Sequence, residues 1–379
     1  MTAQPFRIQI EQGVLDRIFS RLRDTRWPDV PAGAPWQYGT DPAALRDLVD
    51  YWQRDYDWRA REAELNRWPQ FVARVEDYDI HFIHVRGSGA NPRPLLLSHG
   101  WPGSFAEFIK VIEPLTQPEK FGGSAEDAFS VVIPSLPGYG FSSKPATTIG
   151  PRTIARLFDT LMIDVLGYRD YIAQGGDWGS VISSWLGFEA RGCSAVHLNL
   201  VLIWRGADVR PQSDEEKAAM KQNQKFWRDE GGYMSIQSTK PLTLSYALHD
   251  NPLGIAAWIL EKFQRWSDLP GGDLWATYTR DELLDDIMIY LVTDTFGTAA
   301  WLYNGFYKEL PPAGAYVERP TGVAVFPREV AHLPRSLVAR SYNIVHWEEQ
   351  PRGGHFAALE QPQLFVEDVR RFARGLRAS

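Results

Sequence analysis

The hexapeptide Gly175-Gly176-Asp177-Trp178-Gly179-Ser180 follows a short apolar run, Tyr171-Ile172-Ala173, and precedes another, Val181 to Phe188. Small residues two places to either side of a central side chain, between a strand and a helix, permit a sharp turn that exposes that side chain at the strand's C-terminal end. The central residue is Asp177, and a carboxylate presented in this way is a nucleophile that needs no base. A glycine-rich turn with an aspartate helix cap fits the same letters. After an earlier apolar run, Leu95-Leu96-Leu97, comes His99-Gly100-Trp101-Pro102-Gly103-Ser104-Phe105. A loop there can offer the N–H of Trp101 which, with that of Trp178, forms an oxyanion hole; a plain Pro-Gly turn is the alternative. His99 is read as holding this loop by hydrogen bonds. A third segment, Arg352-Gly353-Gly354-His355-Phe356, sets a histidine behind two glycines, free to reach a neighbouring strand end as a general base. The acid that orients it belongs between nucleophile and histidine in the chain. Glu329, after the run Val323 to Phe326, is the choice, with Asp294, Glu348 and Glu349 competing.

Such groups need a scaffold that brings strand ends together. Near-alternation over Tyr78, Ile80, Phe82 and Val85 predicts a half-buried strand. The runs Leu95-Leu96-Leu97, Val131-Val132-Ile133 and Tyr171-Ile172-Ala173 suit strands covered on both faces. Helical patterns between them, at Phe105 to Ile112 and Thr153 to Leu166, predict βαβ units and an α/β fold with a mostly parallel sheet. Strands return at Val323-Ala324-Val325-Phe326 and Tyr342-Asn343-Ile344-Val345 before a last amphipathic helix. Residues 1–70 read as a helical extension. One helix carries Val14, Leu15, Ile18, Phe19 and Leu22, and another starts at Asp41-Pro42. The expected division is this extension, a first core segment 71–205, a helical cap or lid 206–310 and a second core segment 311–379.

The 379 residues hold 40 Lys+Arg against 47 Asp+Glu, a net charge of -7, which repels a phosphate backbone and argues against a nucleic-acid partner. One cysteine, Cys193, rules out an intramolecular disulfide and a multi-cysteine metal site. Nowhere do 18 consecutive apolar residues occur, and the N-terminus carries charges where a signal peptide is apolar. The expectation is a soluble cytoplasmic enzyme without integral membrane association. The 15 tryptophans suggest apolar pockets or inter-domain packing beyond ordinary core.

Together these segments make the chain resemble the α/β-hydrolase fold family, and within it the microsomal-type and juvenile-hormone epoxide hydrolases, over essentially the whole length. The resemblance rests on Leu22-Arg23-Asp24-Thr25-Arg26-Trp27-Pro28, on His99 to Phe105 and on Gly175 to Ser180. It also rests on Tyr233-Met234-Ser235-Ile236-Gln237 with Thr239-Lys240-Pro241, on Phe306-Tyr307-Lys308-Glu309, and on Gly353-Gly354-His355-Phe356-Ala357-Ala358. It implies Asp177 as nucleophile, His355 as base, Glu329 as its acid partner, and Tyr233 and Tyr307 as the cap tyrosines that hold the epoxide oxygen. It implies no cofactor and no metal. The membrane-anchoring helix of the animal microsomal members is missing, so membrane residence does not carry over.

The chemistry that the resemblance implies suits these residue types. Asp177 attacks the tetrahedral epoxide carbon, a phenol protonates the departing alkoxide, and water deprotonated by His355 cleaves the ester to a vicinal diol. The expected partners are a small apolar epoxide and water. A haloalkane dehalogenase, with the same nucleophile but no need of an acid, is the enzymatic rival. A ligand receptor on a hydrolase scaffold is the non-catalytic one. The particular epoxide, the attacked carbon, the stereochemistry and the oligomeric state, a homo-oligomer included, are left open.

Overall fold

The computed structural model describes residues 2–201 and 210–378. Among the described residues nine strands form one sheet: β1 Gln4–Phe6, β2 Gln70–Val75, β3 Tyr78–Val85, β4 Arg93–Ser98, β5 Phe129–Pro134, β6 Tyr171–Gly175, β7 Cys193–Leu198, β8 Val317–Val325 and β9 Tyr342–Glu349. Their order across the sheet is β1-β2-β3-β5-β4-β6-β7-β8-β9. The first three pair antiparallel, as does β3 with β5, and from β5 onward neighbours run parallel. Leu95, Leu96, Val131, Val132, Ile172 and Ala173 are fully buried, because helices cover both faces of these central strands.

Register brings the chemistry-bearing loops to one edge. Ser98 at the end of β4 pairs with Gly175 at the end of β6, so the segments that follow both strands leave the sheet side by side. Val325 pairs with Glu349, which does the same for the segments after β8 and β9. In an open parallel sheet the crevice beyond the C-terminal strand ends is where ligands bind.

Two further layers complete the molecule. In the N-terminal extension, helix Gln12–Arg23 buries Leu15, Ile18 and Leu22. Helix Pro42–Arg54, whose N-cap Asp41 accepts from the N–H groups of Ala43 and Ala44, buries Leu45, Leu48, Val49 and Trp52. Their apolar stripes meet helices Pro252–Trp266 and Arg280–Val292. Tyr56 and Arg61 both bind the buried Asp285 carboxylate, at 2.9 Å and 2.6 Å. Between β7 and β8 the described chain is helical from Asp214 to Phe306, the cap above the strand ends. The expected start of the cap at residue 206 lies outside the described residues. The whole is an α/β-hydrolase fold with a helical cap and an N-terminal extension. Among the described residues no helix is long and apolar enough to cross a membrane.

Candidate active site

The turn after β6 explains its own glycines. Helix Asp177–Glu189 starts at Asp177 itself, four residues before the expected Val181, and Asp177 holds the left-handed φ of +47°. A non-glycine residue there is strained, at a cost of about 1–3 kcal/mol, tolerated where surrounding structure enforces it. A Cβ on Gly175 would sit 2.1 Å from the carbonyl oxygen of Gly179, and a Cβ on Gly179 would sit 1.8 Å from that of Ser98. Glycine is therefore required on both sides for the helix to close against β4 and β6. The Asp177 side chain points at the oxyanion loop, where Trp101 N–H donates to its Oδ1 at 2.8 Å. Gly100 leaves room for that approach, since a Cβ there would lie 2.2 Å from Oδ1. Trp178 occupies the first helical turn, where backbone N–H groups have no intrahelical acceptor.

His99 holds the loop from below. Its Nδ1 lies 3.0 Å from the Gly100 carbonyl oxygen and its Nε2 accepts from Leu136 N–H at 3.3 Å. Burial lowers its imidazole to about 4, which keeps it neutral for this pattern.

Two loops converge on the same carboxylate. After β8, Glu329 places Oε1 2.5 Å from His355 Nδ1, and Val330 N–H donates to the same oxygen at 2.7 Å. The other ring nitrogen, His355 Nε2, is 3.4 Å from Asp177 Oδ2. The loops are joined by a bridge between Arg328 and Gly354, with Arg328 N–H donating to Gly353 at 3.0 Å. Gly353 has φ +112°, and a Cβ on Gly354 would lie 2.5 Å from Trp266 O, the atom that accepts from His355 N–H. Buried Glu360 takes the N–H groups of Gly354, Phe356 and Asp268, and so holds both sides of the histidine. Of the competing acids, Glu348 pairs with Arg371.

Burial alone would lower the His355 imidazole, but the carboxylates of Glu329 and Asp177 outweigh it and hold it well above its ordinary value. The resting pair is thus an imidazolium beside Asp177. Neutralising Asp177 would remove one of the two charges that retain the proton.

Aromatic side chains from the cap close over this group. Tyr233 stacks on Trp101, Tyr303 meets Trp178 edge-on with centroids 4.7 Å apart, and the two tyrosines contact each other at 5.9 Å. Both phenols stand well above the ordinary value: burial is the main cause, and the Asp177 carboxylate adds to it in each case. They are neutral O–H donors near enough to Asp177 to feel its charge.

Residues 3–108 match the epoxide hydrolase N terminus family, and residues 93–198 match the α/β hydrolase fold family. The chain is 36% identical to epoxide hydrolase 1 of Sus scrofa over 97% of its own length and 88% of that protein. The chain belongs to the epoxide hydrolase family. Its structure is similar to that of Aspergillus niger epoxide hydrolase, with a TM-score of 0.86 at 32% identity over 99% of this chain and 96% of that one. It is also similar to juvenile hormone epoxide hydrolase from Bombyx mori, with a TM-score of 0.88 at 30% identity over 99% and 95%.

For this member of the epoxide hydrolase family the structure gathers Asp177, His355, Glu329, Trp101, Trp178 and Tyr233. Tyr307 is the remaining residue of the expected set. Helix Phe296–Phe306 ends just before it, and Tyr307 is 48% exposed, with its ring against Phe306. Tyr303, one helical turn earlier, is 2% exposed. Sequence reasoning also missed Lys262, buried beside Glu261 with its ammonium 4.6 Å from the Tyr233 ring centroid, and Trp266, whose ring meets His355 at 5.0 Å.

Proposed function

We propose that this protein hydrolyses an apolar epoxide to a vicinal diol through an ester on Asp177, with Tyr233 and Tyr303 as the pair that protonates the alkoxide. The observation that carries the reading is the pairing of a carboxylate at a strained turn with two buried neutral phenols. Displacement of an epoxide oxygen needs an acid, whereas displacement of a halide does not.

In this reading Asp177 Oδ2 attacks carbon while a phenol gives its proton to the leaving oxygen. The ester has no negative charge, so the His355 imidazolium passes its proton to the phenolate left by ring opening and becomes the base toward water, with Glu329 holding Nδ1. The oxyanion that develops on the Asp177 carboxyl meets the N–H of Trp101, already 2.8 Å from Oδ1, and that of Trp178. The helices between β7 and β8 serve as the cap that excludes bulk water, and their aromatic walls suit a bulky apolar substrate.

The test is a panel of aryl and alkyl epoxides assayed for diol, with chlorinated and brominated alkanes assayed for halide release. Diol formation with no halide release is the expected result. Halide release without diol would replace this reading by the dehalogenase, and binding without turnover across the panel would replace it by the receptor.

A further inference from the structure

A cavity of about 20 Å³ lies beside the reacting carboxylate, bounded by Gly100, Glu107, Asp177, Asn199, His355 and Ala358. A water needs roughly 10–15 Å³ of such space and two to four polar partners. Asp177 and His355 supply the reacting partners. Ser98, also in the wall, has a buried hydroxyl with no hydrogen-bond partner among the described residues. Phe108 and Phe365 close the remaining sides with apolar surface.

Glu107 is the wall residue for which the triad gives no reason. It lies in the short turn Phe105–Phe108, capped by Ser104. Its carboxyl fills the space above Gly103, where a Cβ would come within 1.4 Å of Oε1, so glycine at 103 lets this acid reach the cavity. Burial, then repulsion from Asp286 and Asp177, pushes its carboxyl well above the usual range against the opposing pull of His355. A neutral carboxyl has a carbonyl oxygen to accept with and an O–H to donate.

We propose that this cavity holds the hydrolytic water and that Glu107 is its positioning residue, accepting one O–H of the water while His355 Nε2 receives the other. The inference rests on the covalent reading above. The water oxygen bonds to Cγ of the Asp177 ester, its first proton passes to His355, and the C=O electron pair moves to the oxyanion beside Trp101 N–H. Collapse breaks the Cγ–O bond to the product, whose oxygen takes the proton from His355. The second water proton stays on the restored Asp177 carboxyl and passes to His355, which restores the resting imidazolium beside the carboxylate. Glu107 fixes the angle of attack and undergoes no net change.

Single-turnover quench experiments with intact-protein mass spectrometry, on an aryl epoxide that wild type hydrolyses, separate the two halves. Glu107→Met should form the adduct at close to the wild-type rate and hydrolyse it roughly tenfold more slowly, the loss of one hydrogen bond. Glu107→Gln keeps a neutral carbonyl acceptor and should hydrolyse the adduct within a few fold of wild type. Ala358→Val, which fills the cavity from another wall, should reproduce the Met phenotype even if Glu107→Met does not fold. Adduct decay at the wild-type rate in both Glu107→Met and Ala358→Val would overturn the inference. So would equal slowing of both halves, or a Gln variant as slow as Met. If wild type and every variant formed no adduct while still making diol, the covalent reading itself would fail instead.

Discussion

Tyr233 lies flat on Trp101, with ring centroids 5.1 Å apart and planes 9° from parallel. Trp101 is also the residue whose N–H binds Asp177 Oδ1, so the cap tyrosine and the oxyanion loop share one aromatic stack. The phenol is therefore located by the same residue that locates the nucleophile. Tyr303 stands edge-on to Trp178, in the first turn after Asp177, and also meets Trp101 and Tyr233, so both cap tyrosines join the same aromatic cluster.

That arrangement predicts unequal effects for three tyrosines. Tyr233→Phe and Tyr303→Phe should each slow ring opening by about 3 kcal/mol, roughly a hundredfold, and the double variant should be close to inactive. Tyr307→Phe should leave turnover nearer wild type, because Tyr307 is half exposed whereas the rings of Tyr233 and Tyr303 are buried. Pre-steady-state alkylation rates measure all three. A large effect at position 307 with none at 303 would reverse the assignment.

Asp177 and His355 were legible because glycines flank each of them, and close backbone approach leaves a local trace. Glu329 was harder to single out, since its role depends on β8 and β9 pairing in register and bringing two loops together. Whether a tyrosine near the end of a cap helix faces inward depends on where that helix stops. Helix ends are the least certain part of a periodic pattern. Glu107 and Lys262 left no trace, because one needs the space above Gly103 and the other a ring from a separate helix. The strand runs, by contrast, followed directly from burial on both faces of a parallel sheet.

Removing the nucleophile should stop the reaction without unfolding the protein. Asp177 sits at an elbow with its side chain 19% exposed, not in the packed core, and its left-handed φ is itself a strain. Asp177→Ala should form no diol, and Asp177→Gly should be inactive yet at least as stable as Asp177→Ala because glycine adopts that φ freely. Diol assays and thermal unfolding of both variants test this. Wild-type turnover in either one rules out Asp177 as the covalent site.

A second buried carboxylate should matter for stability alone. Asp368 accepts from Gln350 at 3.1 Å and meets Nε2 of His197 at 2.8 Å and of His346 at 3.1 Å. Burial alone would raise its carboxyl, but the two imidazoles outweigh that and hold it well below the usual range. A depressed carboxylate contributes stability that is present above its unfolded value, about 4, and lost as pH falls below it. Asp368→Asn should cost about 3 kcal/mol near neutral pH. The gap to wild type should narrow progressively below about pH 4. Urea titrations at several pH values measure it, and a gap that widens in acid would mean the sign is wrong.

The last prediction separates the two halves of the reaction through the charge on Asp177. In the resting site His355 is held as an imidazolium by Glu329 and Asp177 together, whereas in the ester only Glu329 remains to hold the proton. Its proton affinity should therefore fall on alkylation, and ester hydrolysis should slow as pH drops through this lowered value while alkylation does not follow the same curve. Replacing the ring removes the base but not the nucleophile. His355→Gln should accumulate an adduct with the mass of the protein plus one epoxide, mapping to the peptide that contains Asp177. Glu329→Gln should slow hydrolysis less severely, because an imidazole without its orienting partner retains some basicity. Intact-protein mass spectrometry after brief exposure to epoxide, repeated across pH, reads both effects. His355→Gln protein that stays unmodified while wild type alkylates rapidly would mean that another group is the base or that water opens the epoxide directly.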